Sequence, residues 1–149
     1  MSDFHLPEDK AGRLERCSLF YTDVVPHNHA LGLTLVDVGA AEATVVLPYA
    51  DFLVGNPETG VIAGGPVTTL IDAACGTSIF LKLGRFLPIV TLDLRIDYLR
   101  PARPGIALTA VAECYRTTRQ VAFVRALVHQ GDKDNPVASA QGTFMRTEE

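Results

Sequence analysis

Cysteine, long apolar runs and positive charge are all scarce in this chain of 149 residues. Cys17, Cys75 and Cys114 are odd in number and far apart, with no C-x-x-C pair and no Cys/His ligand spacing. A disulfide framework and a zinc knuckle are therefore disfavoured, no metal site is expected, and a reducing cytoplasm is the expected compartment. No stretch approaches the roughly 18 uncharged apolar residues of a membrane span, and the opening MSDFHLPEDKAGRLERC is charged and has no signal-peptide core. Neither export nor membrane insertion is expected. Thirteen Lys and Arg against 17 Asp and Glu give a net charge of −4, the wrong sign for a general nucleic-acid binder.

The chain has 48% apolar and 20% charged residues and no tryptophan, a composition that suits one compact domain. A domain of this size buries roughly 68–70% of its unfolded surface and needs no disulfide or structural metal to fold. No repeat or linker interrupts it, so residues 1–28 are expected as a loose N-terminal segment and residues 29–149 as a single domain. Charge is unevenly spread. Between residues 95 and 125 six arginines meet two acids, a local +4 that leaves −8 on the remainder. A basic region on an acidic chain suits an anionic small ligand.

Residues 33–38 and 42–47 are β-branched-rich runs around Gly39-Ala40-Ala41, the pattern of a hairpin. The loop PYADFLVGNPETGVIA follows. From Gly64 to about Gly84 apolar residues recur at helical spacing, with Pro66 tolerated in the first turn. After Pro88 the period becomes two, which puts Val90, Leu92, Leu94, Ile96 and Tyr98 on one face and Thr91, Asp93, Arg95 and Asp97 on the other. Further strands are expected at about 106–115, 120–129 and 137–145. Short connections imply antiparallel neighbours, so one antiparallel sheet with a single long helix on one face is the economical solution. That helix has small, uncharged flanks, which points to burial on more than its sheet side.

Asp72 lies inside this apolar helix, near Thr68, Thr69 and Gly76, where an ionised carboxylate is seldom left without partners. It is either a structural carboxylate held by threonine hydroxyls or a catalytic base or nucleophile. Gly64-Gly65-Pro66 opens the helix with unpaired N–H groups at the positive end of its dipole, a place for an anion or a developing oxyanion. Eight residues at ~1.5 Å each separate Gly64 from Asp72 by ~12 Å, too far to share one reacting atom, so a shared site needs two copies of the chain. Asn56 is a turn asparagine or an amide donor, His27 and His29 are expected in a polar loop, and Cys75 in the core. No histidine is expected near Asp72. Arg100, Arg103 and Arg119 fall at strand ends and turns, where phosphate-binding groups gather.

With Asn56, the glycine pair, Asp72 and the TLDLRIDYLRPARPG segment in place, residues 30 to 145 resemble hotdog-fold acyl-CoA thioesterases of the phenylacetate-pathway and 4-hydroxybenzoyl-CoA thioesterase type. The motif of that family, Asn, a short loop, His-Gly-Gly and an acid eight residues after the first glycine, maps to Asn56, Ala63-Gly64-Gly65 and Asp72, with Ala63 in place of the histidine. Thr91 and Asp93 fall where the family has a small hydroxyl residue and an Asp. The resemblance implies an α+β hotdog fold, an antiparallel sheet wrapped around one long central helix. It implies a homo-oligomer, a dimer joined sheet edge to sheet edge and usually a dimer of dimers, with sites at the subunit interface. There Gly64 of one subunit polarises the thioester carbonyl, with Gly65 beside it on the substrate-binding surface. The partner's Asp72 attacks the carbonyl or serves as base, and Thr91 positions water or carboxylate. The expected activity is hydrolysis of acyl-CoA to free acid and CoA without a cofactor. The alternative is an acyl-CoA-binding hotdog domain without turnover. Arg100, Arg103 and Arg119 are expected on the CoA phosphates.

Overall fold

The computed structural model describes residues 5–147. Its longest element is the helix α3, Gly64–Leu83, which Gly84 ends in the left-handed conformation at φ 67°, donating its N–H to Leu81 O. Ten of its residues are buried, including Leu70, Ile71, Cys75 and Ile79. A helix apolar on most of its circumference cannot rest on a surface and has to be wrapped.

A six-stranded antiparallel sheet does the wrapping. Its strands are β1 (Thr34–Val38), β2 (Glu42–Leu47), β5 (Ile89–Tyr98), β6 (Leu108–Thr117), β7 (Val121–His129) and β8 (Ala138–Arg146), in the order β1-β2-β6-β7-β8-β5. α3 lies over β2, β6 and β7. The strand faces beneath it carry several small residues: Ala43 on β2, Ala110 and Ala112 on β6 and Ala122 on β7 are all fully buried, and their short side chains let the helix come close. This is the expected α+β hotdog arrangement. Among the described residues no helix is long and apolar enough to cross a membrane.

Three details depart from expectation. The segment before residue 29, expected loose, is helical: α1 (Lys10–Leu19), capped by Asp9 Oδ2 accepting from Gly12 N, then a π-helical turn Phe20–Val24, then α2 (Pro26–Ala30). It is pinned by buried Cys17 and Tyr21, whose hydroxyl reaches Thr77 Oγ1 at 2.6 Å. The charged residues around them masked these pegs. Second, residues 49–63 are not all loop, since β3 (Val54–Asn56) and β4 (Val61–Ile62) pair as a small hairpin.

Third, β5 does not alternate strictly. Thr91 pairs with Phe144 and Asp93 with Thr143, so Leu92 is an extra residue, a β-bulge. The bulge reverses the phase. Ile89 and Thr91 before it share the helix-facing side with Leu94, Ile96 and Tyr98 after it, opposite Phe144, Gly142, Ala140 and Ala138. Val90 and Leu92, expected on the apolar face, are 54% and 51% exposed. Gly142 accommodates the bulge, because a Cβ there would sit 2.7 Å from Asp93 O. Gly142→Ala is therefore expected to destabilise the protein by about 1–3 kcal/mol through overpacking against backbone, measured as a lower midpoint in chemical denaturation. An unchanged midpoint would show that the bulge does not depend on this glycine.

Candidate active site

The wrapping is incomplete along one stripe of α3. Thr68, Thr69, Asp72, Ala73 and Gly76, three or four residues apart, line a cavity of about 960 Å³. Ile89, Thr91 and Leu94 of β5 form its second wall, and Phe20, Tyr21, Val25 and His27 of the N-terminal segment its third. The rings of Phe20, Phe80 and Phe86 pack together within the lining, with centroids 4.8–5.2 Å apart. The space is thus apolar, with a few polar groups converging where α3 meets β5, the usual composition of a small-molecule site.

Asp72 is half-buried at that convergence and accepts a 2.7 Å hydrogen bond from Thr91 Oγ1 to its Oδ1. The bulge in β5 makes this bond, since strict alternation would turn Thr91 outward. Thr68 and Thr69, the neighbours a structural carboxylate would have used, instead donate back along the helix to Gly64 O and Gly65 O at 3.1 and 3.2 Å. One carboxylate oxygen is anchored, and the other has no hydrogen-bond partner among the described residues. Asp93, opposite Thr143, points to the other face of the sheet.

The remaining candidates lie elsewhere in the chain. Gly64 and Gly65 are exposed at the start of α3, where Ala63 at the N-cap has no side-chain oxygen to offer the free N–H groups. Tyr98, at the far end of β5, donates to Gly64 O at 3.2 Å. Asn56 is the exposed last residue of β3, whose Oδ1 accepts from Glu58 N in the turn that follows, and Gly55 beside it comes so close that a Cβ would meet Ala63 Cα at 2.9 Å. Arg100 donates to the carbonyls of Asn135 and Pro101. The side chain of Arg103 is exposed, while its backbone bonds to Gln130. Arg119 is exposed in the turn before β7, whose other end leads to Gln130. Nine strand residues at ~3.3 Å each separate these ends by about 30 Å. Within one chain Asp72, Thr91 and Arg119 therefore belong to one end of the sheet, and Gly64, Tyr98, Arg100 and Arg103 to the other. Among the described residues no three His, Cys, Asp or Glu side chains cluster as metal ligands would.

A family model described as the thioesterase superfamily matches residues 59–137, a span that contains α3, Asp72 and Thr91. The chain belongs to the thioesterase superfamily. It is 33% identical to the medium/long-chain acyl-CoA thioesterase YigI of Salmonella typhimurium over 134 residues, covering 81% of this chain and 85% of that one. A crystal structure of a Pseudomonas aeruginosa protein superposes with a TM-score of 0.81 at 43% identity, covering 91% of this chain and 99% of that one. The PaaI protein from the phenylacetic acid degradation operon of Escherichia coli superposes with a TM-score of 0.80 at 20% identity, covering 94% and 97%, and so shares the fold. The expected enzyme class, a thioester hydrolase, stands on this membership.

Two site features were not legible in the sequence. His27 lines the cavity with Asp72, contrary to the expectation of no histidine there. The aromatic trio joins a residue of the N-terminal segment to two around the end of α3. Cys75, close to Asp72 in sequence, is fully buried as expected of a core residue. Burial, and secondarily the charge of Asp72, pushes its thiol up, while burial pushes Cys17 up to about 11 and also raises Cys114. The thiolate is the reactive form, so a disulfide-exchange reagent at pH 8 is expected to label none of the three cysteines in the native protein and all of them after denaturation. Rapid native labelling of Cys75 would reopen it as a nucleophile.

Proposed function

We propose that the protein hydrolyses acyl-CoA thioesters of medium or long acyl chain to free acid and CoA, with Asp72 as nucleophile or general base. The observation that carries this is the carboxylate itself, fixed through Oδ1 by Thr91 in the lining of an apolar cavity, with Oδ2 left unbonded among the described residues. Thioester hydrolysis needs a nucleophile or activated water at the acyl carbon and a donor at the carbonyl oxygen as it gains charge. An apolar space of about 960 Å³ beside the carboxylate suits a long hydrocarbon chain. The name of the Salmonella relative agrees with that choice.

The donor comes from a second copy. Gly64 opens a 20-residue helix whose first N–H groups have no acceptor within it, and it lies at the Tyr98 end of β5, while Asp72 lies at the Thr91 end. β5 is an edge strand with Val90, Leu92 and Tyr98 exposed. An isologous, antiparallel pairing of two β5 strands brings the Gly64 end of one protomer to the Asp72 end of the other. Such a pairing completes two sites at once and removes an open sheet edge. Arg103 and Arg119, exposed and without ion-pair partners among the described residues, are then available to the CoA phosphates from different protomers. Arg100, bonded to carbonyls, adds positive potential. Three free cysteines suit the reducing cytoplasm as the compartment.

Asp72→Asn preserves shape and removes the charge. The variant is expected to fold, assemble and bind a non-hydrolysable acyl-CoA analogue while losing on the order of 10²-fold or more in kcat. An assembled variant within about threefold of wild-type kcat, less than roughly 0.7 kcal/mol in the barrier, would end this assignment. Sedimentation at micromolar concentration is expected to show at least a dimer. A monomer that hydrolyses thioesters is incompatible with the two-copy site.

A further inference from the structure

The cavity holds a second group with acid–base chemistry that the mechanism above leaves without a role. His27, in the five-residue helix α2, lines the same space as Asp72, Thr69 and Thr91. Its Nε2 lies 3.2 Å from Thr69 Oγ1, and Thr69 Oγ1 donates its one proton to Gly65 O at 3.2 Å. With that proton directed to Gly65 O, the hydroxyl turns a lone pair to Nε2, and the neutral tautomer that fits carries its hydrogen on Nε2 and leaves Nδ1 as the acceptor. Nδ1 has no partner among the described residues.

Thr69 precedes Asp72 by three positions on α3, a spacing that places their Cβ atoms about 5–6 Å apart on one helix face. Thr69, which holds the imidazole, is therefore a neighbour on α3 of the residue whose carboxylate Thr91 holds. No hydrogen bond joins the two: Asp72 accepts from Thr91, and His27 Nε2 meets Thr69 Oγ1. Both side chains line the one cavity, and if Asp72 reacts, an acyl carbon and a water molecule meet in that space.

We propose that His27 is a catalytic base, taking the proton from the water that releases the acyl group from Asp72. This rests on the thioesterase reading and selects the nucleophilic of its two routes. In the first step Asp72 Oδ2 bonds to the acyl carbon, the C–S bond breaks with its electron pair on sulfur, and CoA leaves as the thiolate. In the second, water oxygen bonds to the same carbon, one water proton passes to His27 Nδ1, and the C–O bond to Asp72 breaks with its pair restored to the carboxylate. The imidazolium then gives its proton to the thiolate or to solvent. The sum is acyl-CoA and water in, acid and CoA thiol out. A separate base is what this route needs, because a carboxylate consumed as nucleophile cannot also deprotonate the water that frees it.

The test compares CoA release by the purified full chain, His27→Gln and His29→Gln on acyl-CoAs of several chain lengths, by rapid mixing and at steady state. A glutamine amide can keep an N–H toward Thr69 but has no basic nitrogen, so it separates proton transfer from positioning. His29, outside the cavity lining, serves as the control. His27→Gln is expected to release one CoA per site in a burst, then turn over on the order of 10²-fold more slowly, with the acyl group found by mass spectrometry on the peptide that contains Asp72. His29→Gln is expected to match the wild type. A His27→Gln variant within threefold of wild-type kcat, or one slowed with neither burst nor acyl adduct, overturns the assignment. A wild-type protein that releases no CoA at any chain length ends the thioesterase reading and this role together.

Discussion

A helix that is apolar around most of its circumference must be enclosed, and the rest of this protein follows from how α3 is enclosed. A sheet can cover only one side of a straight helix unless it curls. Here β2, β6 and β7 lie beneath α3 with alanines among the residues at the contact, and the edge strand β5 also meets it. The N-terminal segment packs beside it through Cys17 and Tyr21. What these elements leave uncovered is a stripe of small and polar residues that includes Thr69, Asp72 and Gly76. The cavity is the part of the helix surface that the fold does not fill, and its one carboxylate faces that space.

The bond that prepares Asp72 depends on an irregularity in the sheet. Without the extra residue at Leu92, Thr91 would turn away from α3, and Asp72 would face the cavity with no donor. The bulge in turn depends on Gly142 in the neighbouring strand, where any Cβ would press on the Asp93 carbonyl. A chain of contacts thus links a glycine on β8, a backbone shape on β5 and the orientation of a carboxylate on α3. Bulges near reactive groups often re-aim a side chain in this way.

The split between the two ends of β5 is a second constraint. The free N–H groups at the start of α3 and the anchored carboxylate in its middle are tied to opposite ends of the same edge strand, Gly64 through Tyr98 and Asp72 through Thr91. Neither end alone offers both that carboxylate and those free N–H groups. If the edge strands pair as proposed, the contacts that hold two copies together also set the geometry of the proposed reaction. The N-terminal helices contribute at the Asp72 end, where they supply one wall of the cavity and the imidazole of His27.

Much of this was written locally. The period of two after Pro88, the helical spacing from Gly64 and the glycine that ends α3 are short-range signals, and the sheet-wrapped helix follows from them because the backbone has few ways to bury such patterns. Asp72 stood out because a charge inside an apolar helix needs a reason, and Gly64 because a helix start has free donors. The sequence alone did not reveal which partner Asp72 would take: Thr68 and Thr69 were nearer in the chain, but their hydroxyls reach their own helix carbonyls, and Thr91 arrives only through the bulge. Nor did it place His27, 45 residues from Asp72 in a charged and unpromising segment, in the same cavity lining as that carboxylate. Periodicity reports which face of an element is buried. Which side chains then meet across a cavity depends on register, on a single inserted residue and on how separate elements pack, and those were decided only when the chain closed on itself.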